Sequence, residues 1–228
     1  MKSEIFDSGR VPLEKTESVG ENIEEIKAEN RELKERVKFL EDTAWVDSLT
    51  GLSNRRYFDQ KLDELLSEVR GETKKHNRVN DTPRVSEVAL ILVDLDNFKQ
   101  ANDTHGHHMG DSVLRRVGQL LQETFRETDI PARHGGDEFA VIFTNTTQEK
   151  AALIAEKFRV ALENDEELTR LGITEPRITA SIGVAYADSS TKEAGMLADA
   201  DTLVKQADAA MYRAKSGGRN KVEMYTEL

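Results

Sequence analysis

The sequence has no cysteine, only four prolines and one tryptophan in 228 residues, and aromatics make up 6% of it. The lack of cysteine excludes a disulfide scaffold and thiolate chemistry, and fits a reducing compartment. Long apolar runs are also missing. The most apolar stretch, Val88 to Val93, falls far short of the ~20 residues that span a bilayer. Met1 to Ser18 carry no apolar segment of a secretory leader. Nor is there an excess of base: 43 acidic residues face 32 basic ones, a net charge of -11. Such a balance argues against a surface that neutralises a polynucleotide backbone. A soluble, cytoplasmic protein is expected, with no nucleic-acid partner and no membrane insertion. A small phosphorylated ligand is still compatible wherever a few Lys and Arg converge, and 37% hydrophobic content suffices for a real core.

Residues 1–18 hold Gly9 and Pro12 and no period, so they form a loose lead. From Val19 apolar residues return in alternating steps of four and three. Ile23, Asn30, Val37 and Ala44 fall at heptad position a, and Val19, Ile26, Leu33 and Leu40 at d. β-Branched residues at a, leucines at d and one Asn at a favour a parallel two-stranded coiled coil over residues 19–46, the Asn fixing register. A single amphipathic helix packed on its own domain is the alternative.

Asp47-Ser-Leu-Thr-Gly-Leu52 breaks this helix, and residues 47–228 read as one domain. The pattern predicts a helix over 55–70, a polar surface loop over 71–86 and a buried strand from Val88 to Val93 ending at Asp94. Polar residues containing Gly106 and Gly110 then lead to a helix over 111–126. Two strands meet at Gly135-Gly136-Asp137, a helix spans 147–164, a strand 177–186, a helix 198–214 and a last strand 222–225. This order gives an α+β fold, a mixed sheet with flanking helices. No internal repeat or low-complexity segment is present.

Two features carry chemistry. The glycine pair before Asp137 and Glu138 suits a hairpin turn that exposes two carboxylates on a short span, where they repel unless a cation sits between them. A solvated acidic turn is the bland alternative. Asp94, at the end of a buried strand, is a costly place for a charge and suggests a ligand or metal there.

Several motifs in one order decide between these alternatives: Asp47-Ser-Leu-Thr-Gly-Leu52, Asp94-Leu-Asp-Asn-Phe-Lys99, Asn102-Asp-Thr104, Gly106-His107 with Gly110-Asp111, Gly135-Gly-Asp-Glu-Phe139, Ser181-Ile-Gly-Val184 and Lys215-Ser-Gly-Gly-Arg-Asn220. From Asp47 onward the sequence resembles GGDEF-domain diguanylate cyclases, the family that condenses two GTP into cyclic di-GMP. The resemblance implies a nucleotidyl-cyclase-like (ferredoxin-like) sheet and an enzyme that works as a homodimer with Mg²⁺ or Mn²⁺. It further implies metal ligation by Asp94, the Leu95 carbonyl and Asp137, with Glu138 assisting the metal or accepting the 3′-hydroxyl proton. Phe98, Lys99, Lys215 and Arg219 would serve the phosphates, Lys99 with a catalytic part. Asn102 and Asp111 would read guanine, since a carboxylate accepts from the donor edge that adenine lacks.

Arg126-Glu-Thr-Asp129 lies at the family's offset for an inhibitory product site, and Lys157 aligns with a second arginine of that site. Lysine keeps the charge but loses the planar fork. His105 stands where the family usually has an aromatic, with little expected consequence. The rival reading is a catalytically silent cyclic di-GMP receptor that signals through the coiled coil; the intact tetrad at 135–138 counts against it. Residues 1–46 are too few for a sensory domain, so control is expected from a partner acting on the coiled coil or from a longer parent protein.

Overall fold

The computed structural model describes residues 26–34, 36, 44–72, 85–173, 177–188 and 199–227. The chain divides into a unit ending at Ala44 and a compact unit from Trp45 onward. In the first unit residues 26–34 are helical. Ile26 and Leu33, both predicted d positions, are 56% and 53% exposed, and Asn30 donates its amide to the Ile26 carbonyl of its own helix at 3.0 Å. Val19, Ile23, Val37 and Leu40 of the seam lie outside the described residues, as do the loose lead and residues 73–84 of the predicted loop.

The compact unit is a mixed six-stranded sheet among the described residues, with helices on both faces. Its strands are β1 (Ser53–Asn54), β2 (Glu87–Asp96), β3 (Ile130–Gly135), β4 (Glu138–Thr144), β5 (Thr179–Asp188) and β6 (Lys221–Met224). Its helices are α1 (Arg55–Arg70), α2 (Phe98–His105), α3 (His107–Thr124), α4 (Gln148–Glu163), α5 (Glu166–Arg170) and α6 (Ala200–Ser216). The strand order is β1-β3-β4-β2-β5-β6. β2 lies antiparallel between β4 and β5, and the edge pairs β1–β3 and β5–β6 are parallel.

A central strand buried on both faces explains the unbroken apolar run at 88–93. Its residues alternate between two cores. Ala89, Ile91 and Val93 meet Val117 and Leu121 of α3 and Ala155 and Phe158 of α4. Val88, Leu90 and Leu92 meet Phe58 and Leu66 of α1 and Ala207 and Met211 of α6. α1, α4 and α6 begin at Asn54, Thr147 and Asp199, whose side chains cap the first turn.

The expected polar connection before residue 111 is instead helical. α2 and the first turn of α3 occupy it, with Gly106 at φ +86 making the corner between them. Only Phe98 and Ala101 of α2 are buried, too few for an apolar period to show in the sequence. Gly110 lies buried inside α3 rather than in a loop. The short β1 and α5 are also additions, α5 being started by the Asp165 carboxylate accepting from Leu168 N at 2.9 Å. The predicted strand over 177–186 is shifted to 179–188.

Gly183, in the middle of β5, sits directly under α6. A Cβ there would press into the backbone of Ala207 and Met211, and backbone cannot move aside cheaply. Gly183→Ala is expected to cost about 3 kcal/mol, read as a lowered urea midpoint with unchanged slope; an unchanged midpoint would contradict this packing.

Candidate active site

Two elements meet at the C-terminal end of β2. The ladder sets Asp94 opposite Glu138 of β4 on one side and Ser181 of β5 on the other. The hairpin between β3 and β4 turns through Gly136 at φ +48, a conformation glycine takes without strain. Leu95 N donates to the Asp137 carbonyl at 3.3 Å, tying the turn to the strand. Arg133 donates to the Gly136 carbonyl at 3.1 and 2.8 Å and pairs with Asp47 at 3.3 Å. Asp47 in turn accepts from Thr50 N and Thr50 Oγ1 at 2.9 and 2.7 Å. The turn that opens the compact unit and the turn that displays the acids are thus fastened together.

Asp94 is 14% exposed and pairs with Lys215, at the end of α6, at 2.7 Å. Burial pushes its carboxyl above the ordinary 3.8; Lys215 pulls it down, while the charges of Asp137 and Glu138 push it up again. Asp137 and Glu138 are half-buried, and His134 Nδ1 stands 3.9 Å from Glu138. Burial and the nearby Arg55 keep His134 below its ordinary value, against Asp59 and Glu138. No three His, Cys, Asp or Glu among the described residues form a closed metal cage. Mg²⁺ does not need one, because it takes one or two carboxylates and completes its shell with water and phosphate oxygens. An all-oxygen set from Asp94, Asp137 and the Leu95 carbonyl fits that habit.

Next to this end of β2, Asn97 at φ +63 leads into α2. Lys99 is exposed there, while Phe98 belongs to the core. Asn102 Oδ1 is buried with no hydrogen-bond partner among the described residues. Its amide group lies against Gly110, where any Cβ would displace it, one residue before the half-buried Asp111. Arg219 is 60% exposed in the turn between α6 and β6.

Arg126 and Asp129 close a tight turn, with Arg126 N donating to the Asp129 carboxylate and Asp129 N to the Arg126 carbonyl, both at 3.0 Å. Asp129 is buried and its carboxyl raised by that burial, against the Arg126 amide and charge. The Arg126 side chain is exposed, as is Lys157 on α4. Arg159, two residues on, is committed elsewhere: it binds Glu156, Glu163 and Asn220 at 2.7, 2.8 and 2.7 Å.

Sequence reasoning quoted Asp96 and Asn220 inside motifs without giving either a part. Asp96 is 1% exposed and accepts from Ser181 Oγ at 2.7 Å, Thr179 Oγ1 at 2.8 Å and Asn220 N at 3.0 Å. The signal was available, because residues two apart on a strand share a face. Arg133 carried no such signal, since its partner Asp47 lies 86 residues away.

The family profile described as "Diguanylate cyclase, GGDEF domain" matches residues 44–221. Response regulator PleD of Caulobacter vibrioides is 38% identical over 181 residues, covering 79% of this chain and 36% of PleD. Diguanylate cyclase DgcS of Shewanella oneidensis is 35% identical over 177 residues, covering 78% of this chain and 51% of DgcS. The chain therefore spans about half or less of the length of these curated relatives. The crystal structure of the coiled coil and GGDEF domain of DgcB from Caulobacter crescentus, in complex with c-di-GMP, superposes with a TM-score of 0.70 at 29% identity, covering 91% of this chain and 99% of that one.

The Asp47 turn yields a stability test. Asp47→Ala should cost about 2 kcal/mol at neutral pH for a lost cap and a lost charge-assisted pair. Burial pushes the Asp47 carboxyl up, but the Thr50 bonds and Arg133 together outweigh it and hold it below 3.8. A depressed carboxyl stabilises the fold above its unfolded value and loses that effect as pH falls through the folded one. The difference in urea midpoint between wild type and variant should therefore shrink below about pH 4; a difference constant to lower pH would contradict the assignment.

Proposed function

We infer, from the premise that this chain belongs to the GGDEF-domain diguanylate cyclase family, that it condenses two GTP into cyclic di-GMP with release of two pyrophosphates. The observation that carries this reading is the convergence of Asp94, the Asp137–Glu138 turn and Lys215 at one end of the sheet. A divalent ion, Mg²⁺ or Mn²⁺, held by Asp94, Asp137 and the Leu95 carbonyl would neutralise triphosphate charge and polarise the α-phosphorus. Lys215 from the end of α6, Arg219 from the turn after it, and Lys99 from α2 add cations for the phosphate tail. Glu138, the second acid of the turn, would assist that ion or take the 3′-hydroxyl proton.

Guanine is read at the α2–α3 corner. Asn102 Oδ1, a buried acceptor with no partner among the described residues, can take a hydrogen bond from an amino group. Asp111 accepts from the N1–N2 donor edge that adenine does not present. Since each hydroxyl must attack the other nucleotide's α-phosphate, the product needs two protomers face to face. Residues 19–46 supply the tether as a parallel coiled coil, raising the effective concentration of one site near the other. Product returns to Arg126, Asp129 and Lys157 as an inhibitor, and the single point charge of Lys157 makes that inhibition weaker than a forked arginine would.

The direct test is mass spectrometry of the product after incubating the purified protein with GTP and Mg²⁺. Cyclic di-GMP is expected, and its absence overturns the reading. Asp137→Ala should lower turnover by about 100-fold or more, the ~3 kcal/mol of a lost metal ligand, without moving the urea midpoint; near wild-type turnover would remove Asp137 from the ligand set. Arg126→Ala should leave initial rates unchanged while weakening cyclic di-GMP binding by at least ~tenfold, about 1.4 kcal/mol. Equal product affinity in the two proteins would reduce Arg126 and Asp129 to a structural turn.

A further inference from the structure

Three successive residues of the turn between α6 and β6 take positive φ: Gly218 at +110, Arg219 at +63 and Asn220 at +47. Two of them carry a Cβ, for which this region is unfavourable, so the surroundings must hold the turn in place. They do so from two sides. Asn220 N donates to the buried Asp96 carboxylate at 3.0 Å. Asn220 Oδ1 accepts from Arg159 at 2.7 Å and its Nδ2 donates to Glu163 Oε1 at 2.9 Å, both residues of α4.

We propose that Asp96 is a positioning residue for the phosphate-binding arm: through the Asn220 amide it fixes the α6–β6 turn, and thereby where Lys215 and Arg219 stand relative to Asp94. Asp96 itself touches no substrate, because its side chain is 1% exposed and its oxygens are taken by Ser181, Thr179 and Asn220. Its charge also keeps Arg219 at hand, with Arg219 Nε 4.0 Å from Oδ1. Lys215 lies in the last turn of the helix that feeds the turn, and Gly217 N and Arg219 N bond back to the Arg213 and Ala214 carbonyls of that helix. A turn that relaxes therefore moves both cations together. Asp94 and Asp96 share one face of β2 two residues apart, so one strand end would carry both the metal ligand and the anchor of the cations opposite it.

This inference rests on the proposed function, and its test separates the two. The full chain is titrated with 3′-deoxy-GTP, which lacks the attacking hydroxyl, and with GMP, at fixed saturating Mg²⁺. A wild type that binds neither nucleotide overturns the function itself. Given wild-type binding, Asp96→Asn is nearly isosteric, but it removes the charge that keeps Arg219 at hand and leaves Asn220 N at best a neutral acceptor in place of a charged one. The variant should weaken 3′-deoxy-GTP about tenfold while GMP changes by less than about twofold, because the loss falls on the phosphate tail and not on the base. Equal weakening of both ligands, or no change in either, overturns the positioning role.

If Asp96→Asn does not fold, Asn220→Ala carries the same test. That change removes the bonds to Arg159 and Glu163 and places a non-glycine, non-asparagine residue at φ +47, yet it leaves the buried carboxylate intact. The same preferential loss of 3′-deoxy-GTP over GMP is expected, and a parallel loss or none overturns the proposal.

Discussion

The site depends on the cost of placing carboxylates at the end of a strand that is paired along both edges. β2 cannot give way, since β4 and β5 hold it in register from Val88 to Asp94, and its side chains fill cores on both faces of the sheet. Asp94 and Asp96 are therefore delivered to fixed positions largely out of water. A buried charge persists only with partners. Asp94 finds Lys215, and Asp96 finds two hydroxyls and a main-chain amide. Lys215 and Asn220 come from the C-terminal α6–β6 segment, more than a hundred residues from Asp94. The site is thus closed by tertiary structure, and loss of that segment would leave two acids without their counterweights.

The remaining parts of the site are held in the same way, by groups that satisfy otherwise stranded backbone. Arg133 binds the carbonyl of Gly136 and so steadies the exposed tip that displays Asp137, while its other arm holds the Asp47 turn. Gly136 supplies the conformation and Arg133 the fixation. At the α2–α3 corner Gly106 permits the sharp change of direction, and Gly110 leaves the space that the Asn102 amide fills. Gly136 and Gly106 serve a positive φ and Gly110 a close approach, so these motif glycines sit beside polar side chains for a physical reason.

Much of this was legible in the sequence, and what was not has physical causes. The apolar run at 88–93, the periodic helix over 55–70 and the paired glycines before Asp137 each express a local rule, and the structure places them with shifts of a residue or two. α2 was missed because a helix lying on the rim beside a site buries only two residues and so shows no period. Gly110 looked like a loop residue for a related reason: glycine inside a helix is costly unless packing demands it, and its packing partner is the Asn102 amide of the neighbouring helix α2, which shows no apolar period. The Asp47–Arg133 and Asp96–Asn220 links join positions too distant for any local pattern to reveal.

Both signs of charge meet at the end of β2. The chain is acidic overall, yet Lys215 pairs with Asp94 and Arg219 lies 4.0 Å from Asp96, at the strand end that also carries the Asp137–Glu138 turn. A site made only of acids would repel a triphosphate, and one made only of bases would hold any anion. With both signs present, a bare anion meets carboxylates and a bare cation meets lysine. On the proposed reading, a nucleotide that arrives with its divalent ion satisfies both sets at once, the acids taking the metal and the bases the phosphates. Selectivity for the metal-bound triphosphate then follows from the near balance of opposed charges at one strand end, and the hydrogen bonds that keep Asp94, Asp96 and the α6–β6 turn in place are what maintain that balance.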